Sequence, residues 1–161
     1  MQKLAIYKKK RKLKKSKEPL AKISKDISNA IFVIHKHISK RPHYDLRLAI
    51  EGVLKSWAIP KGISRKKGEK RLAVKVEDHP LAYAKFKGTI PKGHYGAGKV
   101  EIFDRGKYEN LAVGNTGKNI SVKTSLKNGK MKIFLHGKKI NGIYVLFRFR
   151  ENNWLIFKST K

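Results

Sequence analysis

Residues 32–62 read FVIHKHISKRPHYDLRLAIEGVLKSWAIPKG, and the alternation inside this stretch decides the fold. From His43 to Leu48 the order is His, Tyr, Asp, Leu, Arg, Leu. An extended chain sends His43, Asp45 and Arg47 to one face and Tyr44, Leu46 and Leu48 to the other. A helix would turn positions two apart by about 200° and scatter the polar set. On a strand they stand roughly 6–7 Å apart, near enough for two side chains to lean onto one cation. With His37, the stretch gathers two imidazoles, a carboxylate and a guanidinium within eleven positions. That set reads as a metal site beside an anion site.

Outward from this core the punctuation is that of β hairpins. Glu51-Gly52 is a short turn into VLKSWAI, and Pro60-Lys61-Gly62 closes that second strand. A lysine-rich loop over residues 64–70 leads to RLAVKVE, where Leu72, Val74 and Val76 face one way and Arg71, Ala73, Lys75 and Glu77 the other. Pro80 then stops the pairing. LAYAKFK (81–87) reads as a short helical turn or an irregular crossing. Gly93, Gly96 and Gly98 bracket His94 and Tyr95 ahead of a strand over Lys99–Phe103. These glycines fit a phosphate cradle or, better, a tight corner between strands; no GK[ST] follows and no helix opens, so a P-loop is excluded.

Beyond Glu109 lies a polar stretch of unassigned structure. Asn128-Gly129, Asn141-Gly142 and Glu151-Asn152-Asn153 then precede the strands MKIFLHG, IYVLFRF and WLIFK. Many short strands with Gly and Asn turns predict a mainly β chain, an antiparallel sandwich or barrel with little helix. Ahead of it, residues 1–19 read as a solvated basic arm, and 20–30 as a connector holding at most a short helical turn. The expected division is an arm and connector over 1–30 and a folded body over 31–161.

At 161 residues the chain is large enough for one self-sufficient core, and it has no cysteine, which excludes thiolate metal sites and cysteine nucleophiles. No apolar run has the length of a membrane span, and the N-terminus is too charged for a signal peptide, so a cytoplasmic, nucleoid-associated location is expected. Forty Lys plus Arg against 11 Asp plus Glu give a formal charge of +29. A surface of that sign gains counterion-release entropy on a phosphate backbone, so nucleic acid is the expected partner.

His37, His43 and Asp45 form a mixed nitrogen and oxygen set that suits manganese, zinc, iron or cobalt without choosing among them. His35 can share their face or serve as a plain surface residue. Arg47, Lys61, Arg71 and His79 are the candidate anion contacts, with Arg47 offering a bidentate fork and His79 either a proton for a leaving oxygen or a hold on a phosphate oxygen. Together with the basic exterior, these groups point to hydrolysis of a phosphoester in nucleic acid. The alternative is a non-catalytic basic β-barrel that only binds nucleic acid.

The segments HKHISKRPHYDLRLAIEGVLKSWAIPKG, KRLAVKVEDHPLAY, GTIPKGHYGAGKVEIFDRGKYE and FLHGKKINGIYVLFRF closely resemble the 3'-phosphoesterase domain of bacterial DNA ligase D and its stand-alone relatives. The resemblance implies a compact β-barrel enzyme that uses Mn2+, with Co2+ or Zn2+ as other divalent ions of the same class. It implies removal of a 3'-terminal ribonucleoside from a primer strand and then hydrolysis of the resulting 3'-phosphate to a 3'-OH. By position, His37, His43 and Asp45 match the family's metal ligands, and Arg47 and His79 its contacts to the scissile phosphate. Lys61, Arg71 and Tyr83 match further active-site residues, and Arg11 and Glu18 match an N-terminal motif that assists ribonucleoside removal. Lys12, His35 and His94 depart from the usual acidic residue, glutamine and glutamate. Lys12 bears on ribonucleoside removal more than on the phosphatase step. With no ligase nucleophile motif and no length for a polymerase module, the resemblance is to a free-standing member whose ligase or polymerase partner would be a separate chain.

Overall fold

In a computed structural model, which describes residues 4–11, 18–19 and 30–160, the stretch read first forms three successive strands: β1 (Ile31–Ile38), β2 (His43–Ile50) and β3 (Val53–Ile59). The turn between β2 and β3 has two residues, because Ile50 pairs with Val53 while Glu51 and Gly52 both take positive φ, 50° and 82°. That is the backbone twist a tight antiparallel hairpin requires.

The remaining strands are β4 (Arg71–Pro80), β5 (Gly88–Ile90), β6 (Gly98–Asn110), β7 (Lys130–His136), β8 (Asn141–Arg150) and β9 (Asn153–Lys158). Their neighbours run β1-β2-β3-β4-β9-β8-β7-β6, and β6 returns to β1, so eight antiparallel strands close a barrel and β5 flanks β6. Closure decides between the sandwich and barrel readings. It depends on the length of β6, which pairs with β1 along one edge and with β5 and then β7 along the other. Gly106 sits where β6 meets β7, and a Cβ there would run into the His136 carbonyl.

The barrel is filled. Phe32, Ile34, Leu46, Leu48, Trp57, Ile59, Met131, Ile133, Leu146 and Ile156 form one buried cluster, with Trp57 and Trp154 packed edge to face at 5.5 Å. Each such side chain removed from water contributes about 1.5–3 kcal/mol, so the interior is core and leaves no room for a ligand channel. The alternate residues Val33, Ala49 and Leu54 belong to a second cluster outside the barrel, with Leu4, Tyr7, Tyr83 and Ala84. The outer face of β1–β4 is therefore roofed by α1 (Ala5–Lys10) and a 3-10 helix (Leu81–Lys85).

This roof corrects the expectation of a solvated arm over its described part. Leu4 and Tyr7 lie three apart on one face of α1 and are buried, and the Tyr7 hydroxyl donates to the Pro19 carbonyl. Lys8, Lys9 and Lys10 occupy the last turn, where positive charge complements the helix dipole. The connector expected to hold a helical turn, over 20–29, lies outside the described residues, as does Lys12.

Two turn assignments are also corrected. Asn128-Gly129 ends a helix, α2 (Val122–Asn128), whose Ser121 cap accepts from the Thr124 N–H at 3.1 Å and whose Gly129 takes φ 75°. Asn141-Gly142 already belongs to β8, and the chain reverses over residues 137–140. That reversal is organised by Asp104, whose carboxylate accepts from the backbone N–H groups of Arg105, Lys138, Lys139 and Ile140 at 2.8–3.1 Å. Burial works to raise the Asp104 pKa, but these four donors outweigh it and hold it below the usual carboxylate value.

A carboxylate with a depressed folded pKa stabilises the protein above its unfolded value, near 4, and loses that contribution as pH falls through the folded value. Asp104→Ala is expected to lower unfolding free energy by about 3 kcal/mol at pH 7 by orphaning four donors, with a smaller penalty below pH 3. Urea unfolding at the two pH values checks this. Among the described residues no helix is long and apolar enough to cross a membrane.

Candidate active site

Because Tyr44, Leu46 and Leu48 are drawn inward, His43, Asp45 and Arg47 must point to the roofed outer face. Cross-strand register then delivers the other groups. His35 pairs with Asp45 and His37 with His43 across β1 and β2, and Ala58 pairs with Asp45 across β2 and β3. The result is an open pocket of about 270 Å³, lined by His37, His43, Asp45 and Arg47 from the barrel, Arg11 from the arm, Glu77 and His79 from β4, Tyr83 from the 3-10 helix, and Tyr95 and Gly96 from the glycine-rich loop.

Its left-hand group is a three-ligand set. The nearest nitrogens and oxygen of His37, His43 and Asp45 lie within 4.8 Å of one another. Asp45 Oδ2 is 3.3 Å from His43 Nε2 and 3.9 Å from His37 Nδ1. The other ring nitrogens are engaged: His37 Nε2–H donates to the Gly96 carbonyl at 2.8 Å, and His43 Nδ1–H to the Arg41 carbonyl at 2.9 Å. In the neutral rings these bonds leave the lone pairs of His37 Nδ1 and His43 Nε2 toward Asp45, the orientation a metal-ligating histidine needs. Burial lowers the His37 pKa and favours its neutral ring; Asp45 raises that of His43 by accepting a hydrogen bond from the protonated ring, a proton that a cation bound at Nε2 would displace. Burial alone would raise the Asp45 pKa, yet Arg47 and the His43 bond bring it down, so a carboxylate is available. The residues fit a divalent cation.

The right-hand group is cationic and unusually well held. Arg47 is 4% exposed. Its Nε donates to His35 Nδ1 at 3.0 Å, its Nη2 to Asp45 Oδ2 at 3.2 Å, and its Nη1 lies 3.2 Å from His79 Nδ1, with the guanidinium 4.9 Å from the Tyr83 ring. Arg11 donates from Nε to Glu18 at 2.9 Å and from Nη1 to Glu77 at 3.0 Å, while Nη2 lies 3.2 Å from His79 Nε2. The two neutral tautomers of His79 serve different partners: with the proton on Nδ1 it donates to the Glu77 carbonyl at 3.0 Å and Nε2 accepts from Arg11, whereas with the proton on Nε2 the Nδ1 lone pair accepts from Arg47. Burial, then Arg47 and Arg11, push its pKa far down. His79 is therefore held as a neutral ring that offers one lone pair to the arginines around it. Tyr83 donates to Glu18 at 2.9 Å, and burial raises its pKa, keeping the hydroxyl protonated.

Of the sequence-derived candidates, His37, His43, Asp45, Arg47, His79, Tyr83, Arg11 and Glu18 thus come together. Lys61 and Arg71 lie in a separate recess with Glu69 and Lys70, where the Arg71 guanidinium donates to the Lys61 and Gly62 carbonyls and to Glu69 at 2.7 Å. His35 is fully buried, with its pKa lowered to about 3 by burial and then by Arg47; its Nε2–H donates to the Phe86 carbonyl at 3.0 Å. It is a support for Arg47, and neither a metal ligand nor a surface residue. His35→Ala is expected to cost about tenfold in activity by freeing Arg47 Nε, and His35→Gln to recover it, because an amide can accept from Arg47 and donate to Phe86.

Glu77 escaped the sequence reading as a site residue, and Tyr95 and Gly96 entered it only as part of the glycine-rich corner. Glu77 was legible as the residue two before His79 on the same strand, hence on the same face. Tyr95 holds Lys10 at 3.1 Å and Gly96 holds His37, so the glycine-rich corner is also a wall of the pocket.

Residues 35–148 match the DNA Ligase D 3'-phosphoesterase domain family. The chain belongs to this family. It is 43% identical over 159 residues to the multifunctional non-homologous end joining protein LigD of Mycolicibacterium smegmatis, with 95% of this chain and 20% of that one covered. The LigD of Pseudomonas aeruginosa is 40% identical over 162 residues, 97% and 18% of the two chains, and the multifunctional non-homologous end joining DNA repair protein LigD of Mycobacterium tuberculosis 41% over 154 residues, 94% and 19%. The chain spans about a fifth of the length of these curated relatives. The matched span of the 3'-phosphoesterase family takes in every barrel-borne residue of the pocket and stops before β9.

Proposed function

We propose that this 3'-phosphoesterase family member is a metal-dependent hydrolase that heals 3' ends of DNA or of mixed RNA–DNA primers, removing a 3'-terminal ribonucleoside and then converting the 3'-phosphate to a 3'-OH. The observation that carries the proposal is the pocket's formal charge. Lys10, Arg11 and Arg47 are balanced by Glu18, Asp45 and Glu77, which are their ion-pair partners. A divalent cation on His37, His43 and Asp45 makes the sum +2, the charge that complements a phosphate monoester dianion.

When bound, that ion would supply Lewis-acid polarisation of a phosphate oxygen; Mn2+ is the proposed ion. Arg47 is preorganised by His35, Asp45 and Tyr83 to place its fork on phosphate oxygens as charge shifts toward the leaving group. Arg11, oriented by Glu18, Glu77 and His79, does the same from the arm side. In the ribonucleoside step water's oxygen bonds to phosphorus as the bond to the departing nucleoside's 5'-oxygen breaks, leaving a 3'-phosphate. In the phosphatase step a second water does so as the bond to the strand's 3'-oxygen breaks, and each leaving oxygen takes up a proton that the attacking water gives up. The arm (1–30) and barrel (31–161) are proposed as the two functional parts, with Arg11 and Glu18 serving chiefly the ribonucleoside step. A cytoplasmic, nucleoid-associated setting and a ligase or polymerase that takes up the healed end complete the reading.

A 5'-labelled primer-template ending in one 3' ribonucleotide, incubated with and without manganese, tests it. The expected result is a 3'-phosphate intermediate followed by a 3'-OH, in metal only. No product from this substrate or from a 3'-phosphate, with the strand still bound, would favour the non-catalytic binding barrel instead.

A further inference from the structure

Beside the pocket a second recess runs along the outer face of β6. Lys85, Lys87, Lys99 and Arg105 line it over a floor of Val100 and Ile102, with Glu101 on one wall. Val100 pairs with His37 and Ile102 with His35, so the floor lies one strand spacing, about 4.8 Å, from the strand that carries a metal ligand. Four cations face one carboxylate. Among the described residues only Lys99 of the four has an ion-pair partner, Glu101 at 3.6 Å. Clustered like charge repels itself unless an anion fills the space between.

We propose that this recess holds the backbone phosphates of the substrate strand immediately upstream of its 3' end. The inference rests on the 3'-end reading. A terminal 3'-phosphate has strand on its 5' side only, so the strand leaves the pocket by one track. The recess of Lys61, Lys70 and Arg71 is the poorer track, because the Arg71 guanidinium is consumed by two carbonyls and Glu69. The β6 recess also lies across the Lys85–Ile90 segment from the pocket, and that segment reaches both sites through Ile90 and Lys87.

The test is the triple variant Lys85→Ala, Lys87→Ala, Arg105→Ala in the full chain. Binding to a primer-template ending in 3'-OH is measured over a salt series, and hydrolysis is followed on a long 3'-phosphorylated primer and on a dinucleotide with a 3'-phosphate. Affinity for the duplex should fall roughly tenfold near 0.15 M salt, and the slope of log K against log salt should shrink by about two to three. The dinucleotide should be hydrolysed at the wild-type rate. Unchanged affinity and slope would overturn the proposal and leave an acidic protein surface as the occupant; equal loss on the dinucleotide would overturn it by placing these cations in the pocket. Wild type that binds through them yet hydrolyses nothing with metal would support the track and overturn the phosphoesterase reading.

Discussion

Asp45→Asn is expected to abolish metal-dependent hydrolysis of a 3'-phosphate, with a loss of about a thousandfold or more, while leaving the barrel folded. Asp45 Oδ2 is the common neighbour of His37, His43 and Arg47. Removing its charge takes one of three donors from the cation and the counter-charge from a buried guanidinium. A lost metal forfeits several kcal/mol of transition-state stabilisation, and each 1.4 kcal/mol is about tenfold in rate. Because a buried, unpaired Arg47 would also destabilise the fold by about 3–5 kcal/mol, thermal unfolding is measured alongside the rate. A variant that stays folded and fails to bind manganese carries the interpretation. One that binds manganese normally and still turns over would contradict the ligand assignment.

Arg47→Lys should lose about 10²–10³ in kcat, nearly as much as Arg47→Ala, despite keeping the positive charge. Lysine presents one ammonium, whereas Arg47 meets His35, His79 and Asp45 through three nitrogens and leaves its planar fork over Tyr83. The magnitude is that of removing one preorganised donor at a site of developing charge. Metal affinity should change little by comparison, which separates this variant from Asp45→Asn. Steady-state kinetics on a 3'-phosphorylated duplex, paired with manganese titration of the same preparations, checks both halves.

The barrel was legible where alternation is strict. Tyr44, Leu46 and Leu48 against His43, Asp45 and Arg47 leave one way for the strand to face, and Glu51-Gly52 accepts one tight turn. The polar side of that strand proved to be the outside of a filled barrel, which periodicity alone could not tell, since both faces are buried once α1 and the 3-10 helix cover one of them. The covering helix was hidden by its composition. Six residues with three lysines in the last turn carry few apolar positions, and the ones that matter, Leu4 and Tyr7, acquire their meaning only from Val33, Leu54 and Tyr83, which are distant in sequence.

The same reason explains α2, where the signals were present at Ser121 and Gly129 but the intervening residues are mostly polar. Within the site, the metal set is nearly local, spanning two adjacent strands, and could be read from spacing. Arg11, Glu77 and His79 form a network between the arm and β4 that nothing local announces; the family resemblance, not the pattern, pointed to Arg11 and Glu18. The split of Lys61 and Arg71 from the pocket follows from the Lys61 and Gly62 carbonyls in the turn after β3, which claim the Arg71 guanidinium.

The most direct test of the account is a manganese titration of inorganic phosphate release from a 3'-phosphorylated duplex, run on wild type and His43→Ala and matched to manganese binding by calorimetry. The account predicts saturable release in wild type that tracks occupancy of one site, and neither binding nor release at the same concentrations in His43→Ala. Release that persists in the chelated protein, or in His43→Ala at wild-type manganese affinity, would contradict it.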